Sequence, residues 1–86
     1  MSYSVKIKKE AEKFIRNQDK DIQERILKVL SNFPPSSDVK KLKGKGNEKY
    51  FRARVGDLRI IFTMDNNKKI IYIEAIGNRG QIYKNF

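Results

Sequence analysis

The stretch YFRARVGDLRIIF, residues 50–62, alternates in two registers that meet at Gly56-Asp57. Before the pair, Phe51, Ala53 and Val55 alternate with Tyr50, Arg52 and Arg54; after it, Leu58, Ile60, Phe62 and Met64 alternate with Arg59, Ile61 and Thr63. Successive side chains of a strand point to opposite faces, and Gly-Asp between two alternating runs is a compact turn. The pattern therefore predicts a β-hairpin with one apolar face, and with Arg52, Arg54 and Arg59 converging on the other. Like charges directly opposed across strands cost up to about 1 kcal/mol, so something offsets them. Either water and pairing with Asp57, Glu74 or Glu48 do so, or an anion does, and the planar fork of arginine suits a phosphate or carboxylate.

Outward from the hairpin, the periods change. IIYIEAIG, residues 70–77, is the most apolar strand candidate and is expected in the interior of a sheet. QIYKNF, residues 81–86, reads as a short final strand or tail. Upstream, YSVKI alternates with a period of two and predicts a short opening strand. Ala11, Phe14 and Ile15 then fall on one helical face, which predicts a helix over about 8–17. A second helix follows, with Asp19 or Asp21 as N-cap and an apolar stripe of Ile22, Ile26, Val29, Leu30 and Phe33. Pro34 and Pro35 end it, since neither donates a backbone hydrogen bond.

Residues 36–49, SSDVKKLKGKGNEK, read as a basic surface loop anchored by Val39 or Leu42. The whole is a single domain over residues 1–86, of α+β class and order β-α-α-β-β-β. Two N-terminal helices pack on one face of a mostly antiparallel twisted sheet.

Among the 86 residues there is neither cysteine nor histidine, which removes thiolate nucleophiles, imidazole bases and the usual zinc ligands. No cofactor and no metal are expected. The absence of a long apolar run argues against a membrane span or secretory leader and makes the cytoplasm the expected location. Lys and Arg number 20 against 10 Asp and Glu, a net charge of +10, and that excess favours polyanionic partners. Lys40, Lys41, Lys43, Lys45 and Lys49 present point charges suited to RNA phosphates read by shape.

FRARVGDLRIIF followed by IEAIGNRGQIY resembles the RelE/ParE superfamily of toxins from toxin–antitoxin pairs, and is most similar to the RelE branch. The order of elements agrees over essentially the whole chain, while motif-level similarity is confined to residues 51–62 and 73–83. The resemblance implies a fold like that of microbial ribonucleases and cleavage of messenger RNA in the decoding site of a translating ribosome. It further implies an acidic cognate antitoxin, whose complex with the toxin binds operator DNA through the antitoxin. Ile61, Ile70 and Ile76 are candidates for the antitoxin-facing surface.

By the same resemblance, Arg52, Arg54 and Arg59 lie beside the scissile phosphate, and Arg79 and Tyr83 are the arginine and tyrosine that follow the last strand. Phe51 and Leu58 stand where many members have Tyr, and Asn78 and Gly80 where His and a second basic residue are common. The chemistry implied is attack of a ribose 2′-hydroxyl on its own 3′-phosphate without a metal, leaving a cyclic phosphate. Four arginines answer the charge of the phosphorane, but guanidinium is a poor proton donor or acceptor. Tyr83 is the candidate base or 2′-hydroxyl orienter, with Glu48 and Asp57 in reserve. The alternatives are a ParE-like poison of DNA gyrase and a non-catalytic ribosome- or RNA-binding module.

Overall fold

The computed structural model describes residues 3–33, 39–42 and 49–78. Its elements are β1 (Ser4–Ile7), α1 (Lys9–Arg16), α2 (Lys20–Ser31), β2 (Val39–Lys41), β3 (Phe51–Val55), β4 (Leu58–Asp65) and β5 (Ile70–Asn78). They form a five-stranded sheet ordered β1-β5-β4-β3-β2. Every neighbouring pair is antiparallel except β1 with β5, which are parallel. Two helices on a mostly antiparallel sheet are as the sequence predicts.

The helices are held by the apolar stripe. Ala11 and Ile15 from α1, Ile26 and Leu30 from α2, and Phe33 just beyond it pack on Ala53, Leu58, Ile60, Phe62, Ile71, Ile73 and Ile76. Phe62 sits between two rings, edge-on to Phe33 at 4.8 Å and stacked on Phe51 at 5.5 Å. Such aromatic pairs add about 0.5–1.5 kcal/mol beyond the area they bury. Asp19 is the N-cap of α2 by its extended backbone, though its side chain makes no capping bond. None of the described helices is long and apolar enough to cross a membrane.

The hairpin is as expected. Phe51 pairs with Phe62, and Val55 with Leu58 across Gly56-Asp57. Gly56 has φ +58°, the left-handed backbone that a two-residue hairpin asks of its first turn residue and that glycine adopts without strain.

The basic segment is where the structure departs from expectation. Val39–Lys41 is not loop but a strand on the edge beside β3, continued by the Leu42 N–H donating to the Tyr50 carbonyl at 2.9 Å. A strand of three residues with two lysines carries no periodic signal, and it forms because β3 offers an unpaired edge.

Candidate functional site

With the helices on one face, the odd-numbered residues of β4 and the even-numbered residues of β3 turn to the other. Across this open face, Arg54 lies directly opposite Arg59, and Lys40, Arg52, Ile61 and Ala75 form one row through β2, β3, β4 and β5. Arg54 is exposed, while Arg52 is half-buried with its Nε and Nη2 shielded from water. Of the five sequence-predicted arginine and lysine positions on these strands, Lys40, Arg52 and Arg54 are thus brought together at one end of the face.

Arg59 behaves differently. It is 8% exposed, and its Nη1 donates to the Gly56 carbonyl at 3.0 Å and the Leu58 carbonyl at 3.1 Å. Its guanidinium is folded back onto the hairpin turn, so this positive charge is held by the turn carbonyls rather than by solvent.

The other end of the face holds groups that alternation alone did not single out. The β4–β5 register shifts between Ile61, which faces Ala75, and Phe62, which faces Ile73, so Glu74 is the extra residue of a bulge. The Thr63 hydroxyl donates to Glu74 Oε2 at 2.9 Å, and Lys8 Nζ pairs with the same oxygen at 3.4 Å. Glu74 therefore pairs with Lys8 in place of the arginines considered for it. Lys8 also lies over the Tyr72 ring at 5.4 Å. Lys8, Thr63 and Tyr72 belong to the site's surroundings only because β1, β4 and β5 are adjacent; the one sequence signal was the phase of Tyr72 and Glu74 between core isoleucines.

Other expected residues fall apart from this arrangement. Lys41 is exposed on β2, and Lys49 is exposed with its Nζ 5.4 Å from the Tyr50 ring. Asp57 is exposed at the turn. Lys43, Lys45, Glu48, Arg79 and Tyr83 lie outside the described residues. Of the apolar positions assigned to a partner, Ile76 is 6% exposed in the helix-side core and Ile61 is 0% exposed on the open face, so neither presents a free apolar surface; Ile70 is half-buried. Ile61 has Arg52 and Ala75 as cross-strand neighbours. Among the described residues, no three acidic, cysteine or histidine side chains are grouped to hold a metal ion.

Comparison with known proteins places this geometry. A family model described as the ParE toxin of the type II toxin–antitoxin system parDE matches residues 5–83. A curated protein of Methanocaldococcus jannaschii bearing the name RelE1 is 29% identical over 86 aligned residues, covering 76% of this chain and 93% of that one. The solved archaeal RelE–RelB complex of Pyrococcus horikoshii is similar with a TM-score of 0.71 at 34% identity, over 94% of this chain and 99% of that one. The RelBE2 toxin–antitoxin complex of Mycobacterium tuberculosis shares the fold with a TM-score of 0.81 at 18% identity, over 92% and 100% of the two chains.

Proposed function

Because the chain belongs to the RelE/ParE superfamily of toxins of type II toxin–antitoxin systems, we propose that it is a ribosome-dependent messenger RNA endoribonuclease that arrests translation. The observation that carries this reading is the cluster on the open face, where Arg54 is set opposite Arg59 and Arg52 opposite Lys40. Strand pairing sets these cations on one face, where the planar fork of arginine suits a phosphate.

In the proposed reaction, the 2′-hydroxyl of the message attacks the adjacent phosphorus, and the 5′-oxygen of the next nucleotide leaves. Arg52 and Arg54 bind the non-bridging oxygens and stabilise the extra charge of the phosphorane. Arg59 contributes its charge from within the sheet while its two hydrogen bonds hold the hairpin that aims Arg54. Arg79 and Tyr83 complete the set by resemblance, Arg79 on the phosphate and Tyr83 on the 2′-hydroxyl. Arginine serves badly in proton transfer, so the ribosome supplies much of the rate by fixing the message in an attack geometry; orientation of this kind lowers a barrier by about 7–11 kcal/mol. Lys40, Lys41, Lys43, Lys45 and Lys49 contact ribosomal RNA phosphates.

The solved neighbours include complexes with RelB antitoxins. An acidic antitoxin peptide is the corresponding partner here, neutralising the same cations that hold the message. A second reading, poisoning of DNA gyrase, is favoured by the ParE name of the matching family model. Mapping message 5′ ends in a translating extract separates them. New ends confined to ribosome-occupied codons, lost in Arg54→Ala, are expected; intact messages together with trapped gyrase–DNA complexes would overturn the nuclease reading in favour of the second.

A further inference from the structure

The bulge in β5 sets a carboxylate on the face that carries the arginines. Glu74 is its extra residue, next to Ala75, and Ala75 ends the row that runs through Ile61 and Arg52 to Lys40. The Glu74 side chain meets the Thr63 hydroxyl, so it stands on the open side of the sheet. Its side chain is 16% exposed, sheltered yet within reach of a ligand laid across the strands. Thr63 and Lys8 both hold Oε2, at 2.9 and 3.4 Å, and among the described residues no partner reaches Oε1. The other carboxylates of β4 and its turns are placed differently. Asp65 Oδ1 accepts from the Asn67 and Lys68 N–H groups at the β4–β5 turn, and Asp57 stands exposed in the hairpin turn.

We infer that Glu74 is the general base of the cleavage, taking the 2′-hydroxyl proton of the message on Oε1. This rests on the nuclease reading and supplies the proton-transfer step that guanidinium serves badly. The chain has no histidine and no cysteine, and a carboxylate is the next group able to accept a proton near neutral pH. β3 and β5 lie on either side of β4, two strand spacings or about 9.5 Å apart. A phosphate held from the Arg52 and Arg54 side then has its ribose over Ile61 and Ala75, with the 2′-hydroxyl toward Glu74. Both floor residues are apolar and Ile61 is 0% exposed, so little water stands between base and sugar. The contacts of Thr63 and Lys8 fix the carboxylate by one oxygen while the other works. As Oε1 takes the proton, the 2′-oxygen forms its bond to phosphorus and the P–O5′ bond breaks. The electron pair of that bond leaves with the 5′-oxygen, which takes a proton from water. Glu74 returns its own proton to solvent once the cyclic phosphate has gone.

Single-turnover cleavage by the full chain on programmed ribosomes tests this, with Glu74→Gln, Glu74→Ala and Thr63→Val as variants. Binding is read separately, on ribosomes programmed with a message that carries a 2′-deoxy nucleotide at the cut and so cannot react. Loss of a general base costs about 10²-fold or more. Both Glu74 variants should slow by that much while their affinity for the 2′-deoxy complex stays near the parent's. Thr63→Val keeps the carboxylate and removes one of its two holds, so it should lose far less. Formate, a small carboxylate, should restore part of the rate to Glu74→Ala and none to Glu74→Gln, whose side chain fills the space.

A folded Glu74→Gln that cuts as fast as the parent would overturn the base and leave the nuclease reading standing. So would a slow Glu74→Ala that formate does not quicken, or a loss of cleavage matched by an equal loss of affinity, since either makes the carboxylate a support of the sheet. Messages left intact by the parent itself would remove the nuclease reading, and the base with it.

Discussion

On β4, Ile60 and Phe62 turn to the helices at 0% and 1% exposure, while Arg59 and Thr63 turn the other way into hydrogen bonds with the hairpin carbonyls and Glu74. One strand thus builds two surfaces by different physics. The helix side is held by apolar burial and ring packing, which is non-directional and large. The open side is held by cross-strand polar contacts worth about 1 kcal/mol each, and it places cations opposite one another at a cost. A fold that stores its stability on one face can spend the other on binding an anion.

Substitutions on the two faces should therefore separate stability from activity. The largest effect is expected for Phe62→Ala, which removes the ring between Phe33 and Phe51: chemical unfolding should show a loss of about 3–5 kcal/mol, enough to unfold much of a domain this small. On the open face Arg54→Ala should do the reverse. Cleavage on ribosomes should fall by about 10²–10³-fold, the cost of one charge-stabilising donor, while stability changes by only about 0.5 kcal/mol, as is usual for an exposed side chain. If Arg54→Ala instead unfolded the chain, the division between the faces would be wrong.

Smaller changes sharpen the comparison. Thr63→Val keeps shape and strand preference but deletes the bond to Glu74, and should cost about 1 kcal/mol in the same unfolding measurement. At the β4–β5 turn, Lys69 holds φ +57°, a conformation uncomfortable for a side chain with a Cβ. Lys69→Gly should raise stability by about 0.5 kcal/mol. That gain bears on neither face and would show the turn to be separable from both.

The hairpin was legible because three local signals agreed: alternation on both arms, a Gly-Asp turn, and a glycine where φ must be positive. The helix stripes were legible for the same reason, since Ala11, Ile15, Ile26 and Leu30 recur at helical spacing and do pack into the core. Where local signals were absent, expectation and structure parted. Lys40 and Lys41 read as loop because two lysines beside a valine have no pattern, yet pairing with Phe51 and Arg52 makes them strand. Ile61 read as a partner-facing residue and is buried; Arg59 read as one of three guanidiniums converging on a phosphate and is turned onto its own hairpin.

The sequence by itself determined which residues face the helices and that three arginines leave on the opposite side, and its motifs FRARVGDLRIIF and IEAIGNRGQIY carried the resemblance to a toxin family. Period and turn chemistry are local, and they survive without knowledge of the fold. Only the tertiary structure decided that β1 runs parallel beside β5, that a bulge lifts Glu74 onto Thr63 and Lys8, and that Tyr72 stands on the arginine face. Those contacts join residues as far apart as Lys8 and Glu74, and strand order and register, which set them, arise from the competition of all five strands for the same core.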